Sequence, residues 1–258
     1  LARLGDLYVN DAISVNHRAH ASVVALTKFL QSYAGHLLEN EVTVLSQLER
    51  RAKRPFVLVM GGVKVETKLP VIEHLSKQTD TILLGGALAT TFLAAQGFSV
   101  GASVYDAEGV RIVQQIPKTI LKKIRLPEDV MIASSLRKDA KLSVVDVQSV
   151  SARDRIVDIG PKTREAFAHV LKQAKTIVWN GPLGYCEIPA FSAGTMEIAT
   201  TIAKRTGSAT TIVGGGDTGP VLEALKLADQ FTLLSTGGGA MLDYLAGAPM
   251  PGLEPLLK

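Results

Sequence analysis

Short, continuous apolar segments alternate with longer helical patterns along most of this chain. The predicted strands are Phe56–Met60, Thr81–Leu84, Val130–Ala133, Thr176–Trp179, Thr210–Val213 and Phe231–Leu234. The predicted helices between them are Glu66–Lys77, Ala87–Gln96, Ala107–Lys122, Lys162–Lys172, Ala193–Arg205, Thr218–Ala228 and Ala240–Ala246. Continuous apolar runs are typical of parallel strands that are buried on both faces. The fold class is therefore α/β, a doubly wound parallel sheet with flanking helices, and we expect ligands at the carboxyl ends of its strands.

The first fifty residues follow a different pattern. The segment Leu7–Ile13 predicts the end of a strand, and residues 17–29 predict a loop followed by a helix. Gly35–Glu49 predicts a longer amphipathic helix. No sheet can be completed from residues 1–50, so we expect a helical remnant of a second domain there. Because Leu1 already lies close to a strand, we also expect further sequence upstream.

The composition limits the classes of partner. The 258 residues are 47% hydrophobic, which is enough to bury a large core. The single cysteine, Cys186, cannot form an intramolecular disulfide and favours a reducing compartment. The net charge of +4 suits anionic small molecules. Basic residues are not interleaved with aromatic ones, and no apolar run approaches the roughly 18 residues of a membrane span. We expect a cytoplasmic protein with no nucleic-acid or membrane partner.

Two glycine triplets, Gly214–Gly216 and Gly237–Gly239, lie near the C-terminal end of the chain. Each follows an apolar, β-branched segment and opens a predicted helix. Because glycine has no Cβ, its backbone N–H can approach a phosphate, and the helix dipole favours the negative charge. Two such loops at adjacent strand ends predict a polyphosphate ligand.

Asp217 and Thr218 close the first triplet. A carboxylate at a phosphate-binding helix N-terminus repels the phosphate unless a cation such as Mg²⁺ bridges the two. The alternative is an ordinary helix N-cap aspartate. Gly214, Gly216 and Gly219 also match the dinucleotide fingerprint of nicotinamide enzymes, but that fingerprint normally occupies the first βαβ unit.

Lys64 and Lys68 follow the glycine pair Gly61–Gly62 after the first predicted strand of the sheet. They are four residues apart and therefore share one face of a helix near its N-terminus. The spacing is not that of a P-loop. Two ammonium groups at this place would neutralise a polyphosphate, and the alternative is a solvated lysine pair.

Other polar and glycine-rich positions follow neighbouring strands. Glu187, in the loop after Thr176–Trp179, would accept hydrogen bonds from ribose hydroxyls, or it is an exposed surface residue. Gly85–Gly86 would let a flat base approach the backbone, or it allows close packing of helix and sheet. Arg18, beside His17, would pair with a carboxylate or phosphate, or it is an ordinary surface arginine.

The sequence shows no Ser-His-Asp arrangement, zinc-ligand spacing or paired cysteines. The candidate residues suit direct phosphoryl transfer. They are glycine amides, lysines, an aspartate that could bind a metal ion and a glutamate that could bind a ribose. Catalysis of that reaction is largely positioning and charge neutralisation.

Taken together and in order, these motifs closely resemble phosphoglycerate kinase. The matching segments are Tyr8–Ala12, His17–His20, Gly61–Lys64 with Lys68, Leu83–Ala87, Asp158–Pro161, Trp179–Pro182, Gly214–Thr218 and Ser235–Ala240. The resemblance implies a two-domain hinge enzyme whose N-terminal domain binds 3-phosphoglycerate and whose Rossmann-like C-terminal domain binds Mg-ADP or Mg-ATP. It transfers a phosphoryl group between 1,3-bisphosphoglycerate and ADP.

The resemblance also implies a role for each matching residue. The transferring phosphoryl group would be contacted by Lys64 and by the amides of Gly215, Gly216 and Gly238. Arg18 would bind phosphoglycerate. Asp217 would be the Mg²⁺ ligand. Contacts to the nucleotide would come from Gly62, Val63, Lys68, Gly85, Gly86, Val157, Asn180, Pro182, Tyr185, Glu187, Gly216, Asp217, Thr218 and Gly237.

Three motifs depart from the family pattern. Val63 replaces the usual alanine and narrows the base pocket, and Ile13 replaces a phenylalanine. Tyr185 and Cys186 replace the usual Val-Phe pair, which places Tyr185 where it would stack on adenine. These changes leave the phosphate chemistry in place.

The resemblance divides the chain into four parts. They are a remnant of the phosphoglycerate-binding domain (1–34), an interdomain helix (35–50), the nucleotide-binding domain (51–250) and a tail that packs toward the N-terminal domain (251–258). We expect the rest of the N-terminal domain, including an arginine that clamps the transition state, before Leu1. The chain should then bind Mg-nucleotide but turn over poorly alone. The alternative is an ATP/ADP-binding module without catalysis.

The same division predicts exposed apolar surface on residues 1–50 and on Pro251–Lys258. A full-length family member is usually a monomer, but such a surface would lead this chain to self-associate.

Overall fold

The computed structural model describes residues 1–257, apart from the side chains at positions 49 and 50. Its strands are β1 (Leu7–Asn10), β2 (Gln31–Ala34), β3 (Phe56–Met60), β4 (Thr81–Leu84), β5 (Ile124–Arg125), β6 (Asp129–Ala133), β7 (Leu142–Asp146), β8 (Arg155–Ile159), β9 (Thr176–Asn180), β10 (Thr210–Gly214) and β11 (Leu233–Ser235). Its α-helices are α1 (His36–Arg51), α2 (Val65–Leu75), α3 (Gly86–Ala95), α4 (Gly109–Gln114), α5 (Lys118–Leu121), α6 (Pro161–Gln173), α7 (Ala193–Ala203), α8 (Gly219–Ala224) and α9 (Gly239–Leu245). Lys258, the last residue of the predicted tail, lies outside the described residues.

Within these residues the central sheet has six parallel strands in the order β11-β10-β9-β3-β4-β5. Successive side chains of a strand point to opposite faces, so each strand contributes to two cores. Phe56, Leu58 and Met60 of β3 pack in one core with α1, α2, α3 and α9. Val57 and Val59 pack in the other core with α6 and α7. This double burial explains the continuous apolar run and confirms the doubly wound α/β fold.

One predicted strand belongs to a different sheet. β6 pairs antiparallel with both β7 and β8, in a small sheet that is separate from the parallel one. Met131 and Ile132 of β6 are only half-buried, and most of β7 is exposed. The prediction of a strand at Val130–Ala133 is confirmed, but its place in the parallel sheet is wrong. A short apolar run does not by itself specify the direction of its partner.

Two predicted helices are shorter in the structure. The helix predicted over Ala107–Lys122 is divided into α4 and α5, because Pro117 lacks an N–H and disfavours helical geometry in the residue before it. The helix predicted over Thr218–Ala228 ends at Ala224, just before Lys226, which has a φ of 55°. No helix within residues 1–257 is both long enough and apolar enough to cross a membrane.

Residues 1–34 contain strands as well as short helical turns. β1 confirms the strand predicted from Leu7, and it pairs in parallel with β2. The expectation that no sheet forms in residues 1–50 is therefore wrong, and this segment is not simply helical. The sequence of β2, Gln-Ser-Tyr-Ala, has one residue that favours strands, so propensity alone did not predict it.

Helix α1 and the end of the chain pack on the central sheet. The helix predicted over Gly35–Glu49 is confirmed as α1, and its Leu38 and Leu45 lie in the same core as Phe56. Met250 and Leu253 join that core as well. The Gly252 N–H donates to the carbonyl of Asn16 at 2.9 Å, which ties the tail to the first segment.

Several large apolar side chains of the first segment are exposed, as the sequence predicts. Leu7, Val9 and Tyr33 lie on one face of the β1–β2 pair, since Val9 and Tyr33 are partners in its register. Phe29 and, in the tail, Leu257 are more than 70% exposed. Clustered exposed apolar surface of this kind favours association between molecules.

We expect the 258-residue chain to self-associate through the exposed face of the β1–β2 pair. Val9→Lys should shift the molecules toward monomer in sedimentation velocity, because a charge on this face disfavours apolar contact. Val144→Lys is the matched control, since Val144 is also a strand residue and is 49% exposed compared with 51% for Val9. A wild-type chain that remains monomeric at high concentration would contradict this prediction.

Candidate functional site

The central sheet changes its winding direction between β3 and β9. From β3 the chain continues through α2 to β4 on one side, and from β9 it continues through α7 to β10 on the other. In open α/β sheets, ligands bind in the crevice at the carboxyl ends of such a strand pair. The loops at these ends contain Gly61–Gly62 and Gly181–Pro182. The topology therefore places two of the predicted motifs on either side of one crevice.

Glycines let these two loops pack backbone against backbone. The Gly61 N–H donates to the Asn180 carbonyl at 2.9 Å, and the Gly62 N–H donates to the Pro182 carbonyl at 3.1 Å. A Cβ on Gly61 would lie 2.0 Å from the Pro182 oxygen, which is impossible without moving the backbone. The Trp179 indole also holds this loop, by donating to the Gly181 carbonyl at 2.8 Å.

Gly85–Gly86 extends the same close packing. A Cβ on Gly85 would lie 2.6 Å from the Leu183 side chain, and the Gly86 N–H donates to the Leu183 carbonyl at 2.8 Å. Of the two interpretations of this pair, the geometry supports close packing for Gly85. Gly86 in addition borders the crevice.

The crevice opens into a cleft of about 320 Å³, within the size range of small-molecule sites. The cleft is bordered by many of the predicted site residues: Gly62, Val63, Lys64, Lys68, Gly86, Val157, Pro182, Tyr185, Glu187 and Asp217. The antiparallel sheet supplies an apolar wall through Val130, Ile156 and Ile159, which sequence patterns did not assign to the site.

Lys68 is the partly buried cation of the cleft. Its ammonium group donates to Asn180 Oδ1 at the end of β9. Burial lowers the pKa of Lys68 to about 8, and the nearby Asp217 carboxylate opposes this shift only in part. Asn180 does not border the cleft itself but orients this lysine. Lys64, at the N-terminal end of α2, is exposed at the cleft.

The four glycine amides predicted to bind phosphate divide into two classes. The Gly215 N–H donates to the Ser235 carbonyl at 2.9 Å, and the Gly237 N–H donates to Ser235 Oγ at 3.1 Å. These two amides have partners within the protein, so to donate to a phosphate they would have to leave those partners; their phosphate contacts stay predictions. By contrast, a Cβ on Gly216 or Gly238 would meet no atom within 4 Å, and this open space is accessible to a ligand.

Asp217 and Thr218 have different surroundings although they are adjacent. Thr218 is fully buried, and its hydroxyl accepts a hydrogen bond from the Gly181 N–H at 3.2 Å. Asp217 is exposed and borders the cleft. No group of three His, Cys, Asp or Glu side chains in the described chain could hold a metal ion. A single carboxylate can bind Mg²⁺ only when water and substrate oxygens supply the other ligands.

Two carboxylates that sequence patterns did not single out hold the walls of the site. Glu41 of α1 is fully buried and accepts hydrogen bonds from Ser235 Oγ, the Thr236 N–H and Thr236 Oγ1, directly before the second triplet. Its position on the buried face of α1, between Leu38 and Leu45, is a sequence signal that could have revealed it. Asp106 accepts from the Val65 N–H at 3.0 Å and so caps α2.

Arg18 lies outside the cleft. It is exposed, and its Nε donates to His17 Nε2 at 3.0 Å. It follows the helical turn Ile13–Val15, and a Cβ on Gly237 would lie 3.1 Å from the Ile13 side chain. The structure thus places Ile13, and not Arg18 itself, against the second triplet, and Arg18 does not border the cleft that contains the two lysines.

Comparisons with known proteins give a consistent result. The sequence profile of the phosphoglycerate kinase family matches residues 1–248. The chain is 43% identical over 260 residues to phosphoglycerate kinase of Herpetosiphon aurantiacus, covering 99% of this chain and 65% of that protein. It is 44% identical to the Thermomicrobium roseum enzyme, covering 100% of this chain and 66% of that protein. The chain belongs to the phosphoglycerate kinase family.

Solved structures of the phosphoglycerate kinase family have the same fold. The Coxiella burnetii phosphoglycerate kinase superposes with a TM-score of 0.90 at 41% identity, covering 98% of this chain and 66% of that one. The Pyrococcus horikoshii phosphoglycerate kinase superposes with a TM-score of 0.88 at 30% identity, covering 99% of this chain and 64% of that one. This chain thus spans about two thirds of the length of the phosphoglycerate kinases that it matches.

The lowered pKa of Lys68 predicts a pH dependence of anion binding. Lys68 is charged below a pH of about 8 and neutral above it, so the affinity for tripolyphosphate should fall as the pH rises through this value. Loss of a charge-assisted hydrogen bond should weaken binding roughly tenfold or more. In Lys68→Arg, which stays charged, this fall should be absent.

Calorimetric titrations of both proteins from pH 6.5 to 9.5 test this prediction. The ligand ionises identically in the two series, so the difference between the profiles reports Lys68 alone. Superimposable profiles would show that Lys68 does not control the anion site.

Proposed function

We propose that this chain carries the nucleotide-binding half of a phosphoglycerate kinase, which acts in glycolysis in the cytoplasm. The reaction is Mg²⁺-dependent phosphoryl transfer between 1,3-bisphosphoglycerate and ADP, giving 3-phosphoglycerate and ATP. One observation carries the proposal: Lys64, Lys68 and Asp217 border the same cleft, whose remaining wall is largely apolar. Such a cleft suits a polyphosphate that is joined to a flat, apolar base.

The residues of the cleft have distinct roles in this proposal. Lys68, oriented by Asn180, binds the nucleotide phosphates, and Lys64 contacts the transferring phosphoryl group. The amides of Gly216 and Gly238 donate to phosphate oxygens. Because phosphoryl transfer needs little covalent chemistry from the protein, these contacts act by positioning and by neutralising charge.

Asp217 would hold Mg²⁺ together with nucleotide oxygens. The bound ion neutralises phosphate charge and fixes the geometry of the polyphosphate. Asp217 is suited to this because it is exposed at the cleft. The nearby Lys68 ammonium offsets the charge of this carboxylate.

The other half of the cleft would bind adenosine. Val63, Val157 and Tyr185 give an apolar surface for the base, and Glu187 accepts hydrogen bonds from ribose hydroxyls. Tyr185 is 37% exposed, so much of its ring is available for stacking. Arg18 lies outside this cleft and would bind the phosphoglycerate.

Titrations with ATP, ADP and NAD, each with and without Mg²⁺, test the nucleotide site. We expect ATP and ADP to bind more tightly with Mg²⁺, and NAD to bind much more weakly. Asp217→Asn should abolish most of the gain from Mg²⁺, because it removes the anionic ligand of the ion. Asp229→Asn, at another exposed carboxylate in the loop after α8, is the matched control and should keep that gain.

Preference for NAD would instead favour a nicotinamide oxidoreductase, as the Gly214-x-Gly216-x-x-Gly219 pattern suggested. An unchanged response of Asp217→Asn to Mg²⁺ would contradict the role of Asp217.

We expect phosphoryl transfer from ATP to 3-phosphoglycerate by the 258-residue chain to be at least roughly a hundredfold slower than by the whole Herpetosiphon aurantiacus enzyme. The resemblance assigns one residue of this chain, Arg18, to the phosphoglycerate patch, so we expect the chain to position phosphoglycerate poorly. The rate of phosphoryl transfer depends on precise positioning of both substrates. A coupled assay of both proteins measures this difference. Turnover near that of the whole enzyme would contradict the expectation.

The variant Lys64→Ala distinguishes the kinase from a binding module. If the residual turnover comes from this cleft, Lys64→Ala should remove it while nucleotide binding persists. Nucleotide binding without any turnover in the wild-type chain would favour the non-catalytic module.

A further inference from the structure

Asp158, at the end of β8, is a buried carboxylate that borders the cleft. It is 2% exposed. Its Oδ2 accepts from the Gly194 N–H at 2.6 Å, and its Oδ1 accepts from the Ile159 N–H at 2.9 Å. Gly194 lies in the first turn of α7, so Asp158 caps that helix from a distant strand.

The same carboxylate is in close contact with the loop that follows β9. A Cβ on Gly184 would lie 2.5 Å from Asp158 Oδ1, and a Cβ on Gly194 would lie equally close. Hydrogen bonds to other residues also join the loop to its neighbours. The Tyr185 N–H donates to the Val157 carbonyl at 2.8 Å, and the Leu183 N–H donates to Thr195 Oγ1 at 3.0 Å. Asp158 therefore lies where β8, α7 and this loop meet.

Groups from each element packed against Asp158 affect the pKa of its carboxyl group. Burial raises its pKa to about 7. The Gly194 and Ile159 amides and Arg164 of α6 oppose this rise, while Glu197 of α7 adds to it. Cys186 in the loop has a pKa raised to about 11, mainly by its own burial, and stays neutral near pH 7. Near neutral pH, Asp158 is thus the group in this cluster that changes charge.

We propose that Asp158 is a positioning residue for one wall of the cleft, the wall that would contact the base and the ribose. Asp158 acts by fixing the Gly184–Glu187 segment, which forms part of this wall, against β8 and α7. This inference rests on the proposed nucleotide site and deepens it. Tyr185 and Glu187, which border the cleft, belong to this segment. The end of the cleft that would bind the phosphates is formed by other segments, namely the start of α2 and the loop after β10. A change at Asp158 should therefore affect adenosine and leave phosphate binding intact.

Asp158→Asn tests this separation. Asparagine keeps the shape of the side chain, but only one of its two terminal atoms accepts hydrogen bonds, so one backbone N–H loses its partner. We expect the affinity of the 258-residue chain for adenosine to fall roughly tenfold. The affinity for tripolyphosphate should stay within about twofold, since that ligand does not reach the wall.

Asp129→Asn is the matched control. Asp129 is 1% exposed on the neighbouring strand β6 and caps α6 by accepting from the Lys162 and Thr163 N–H groups at 3.1 and 2.8 Å. This variant should lower thermal stability by a similar mechanism. Because Asp129 caps a different helix, adenosine affinity should stay within about twofold of wild type.

A second measurement uses the wild-type chain and does not depend on the folding of a variant. An ionised carboxylate is the stronger acceptor of the two N–H bonds, so the wall is held most firmly above a pH of about 7. Adenosine carries no phosphate and is neutral in this range. Its affinity should therefore rise between pH 5.5 and 7.5, while the Asp129→Asn chain should give the same profile.

The outcomes separate the two proposals. If the wild-type chain fails to bind adenosine nucleotides at all, the proposed function fails. If the wild-type chain binds them, unchanged adenosine affinity in Asp158→Asn overturns the positioning role. An equal loss of adenosine and tripolyphosphate affinity would also overturn it, as would a flat wild-type pH profile.

Discussion

The backbone contact between the loops after β3 and β9 is the constraint on which the site depends. The Gly61 and Gly62 amides donate to the Asn180 and Pro182 carbonyls, at distances that no side chain at Gly61 would allow. This contact holds the two loops together at the point where the sheet reverses its winding direction. Lys68 can therefore reach Asn180, and the cleft opens between loops that are rigidly joined.

Two buried carboxylates, Glu41 and Asp158, and the half-buried Asp106 connect the cleft to the surrounding elements. Glu41 joins α1 to the second glycine loop, Asp106 caps α2, and Asp158 joins β8 to α7. Each accepts hydrogen bonds from backbone N–H groups that are distant in sequence. A buried carboxylate is stable only where donors replace its water. These three residues therefore fix the relative positions of the elements that carry the lysines and the glycine loops.

The sequence predicted the central sheet well because its physical cause is local. β3 supplies side chains to two cores, so each of its residues is apolar, and the pattern is visible without knowledge of its partners. The same reasoning failed for β6, where a similar run lies in an antiparallel sheet. It also failed for β2, whose pairing with β1 depends on a partner more than twenty residues away.

The sequence by itself determined the fold class and the inventory of the site. Strand–loop–helix order places Lys64, Lys68, Asp217 and both glycine triplets at strand ends, because these are local properties of the chain. Only the tertiary structure decided how each group is used. In the folded chain, the amides of Gly215 and Gly237 donate hydrogen bonds within the protein, whereas the space beside Gly216 and Gly238 is open. Glu41 and Asp158 are buried and connect separate elements. The physical reason is that hydrogen-bond satisfaction and burial depend on which distant segments meet, and the local sequence does not specify those contacts.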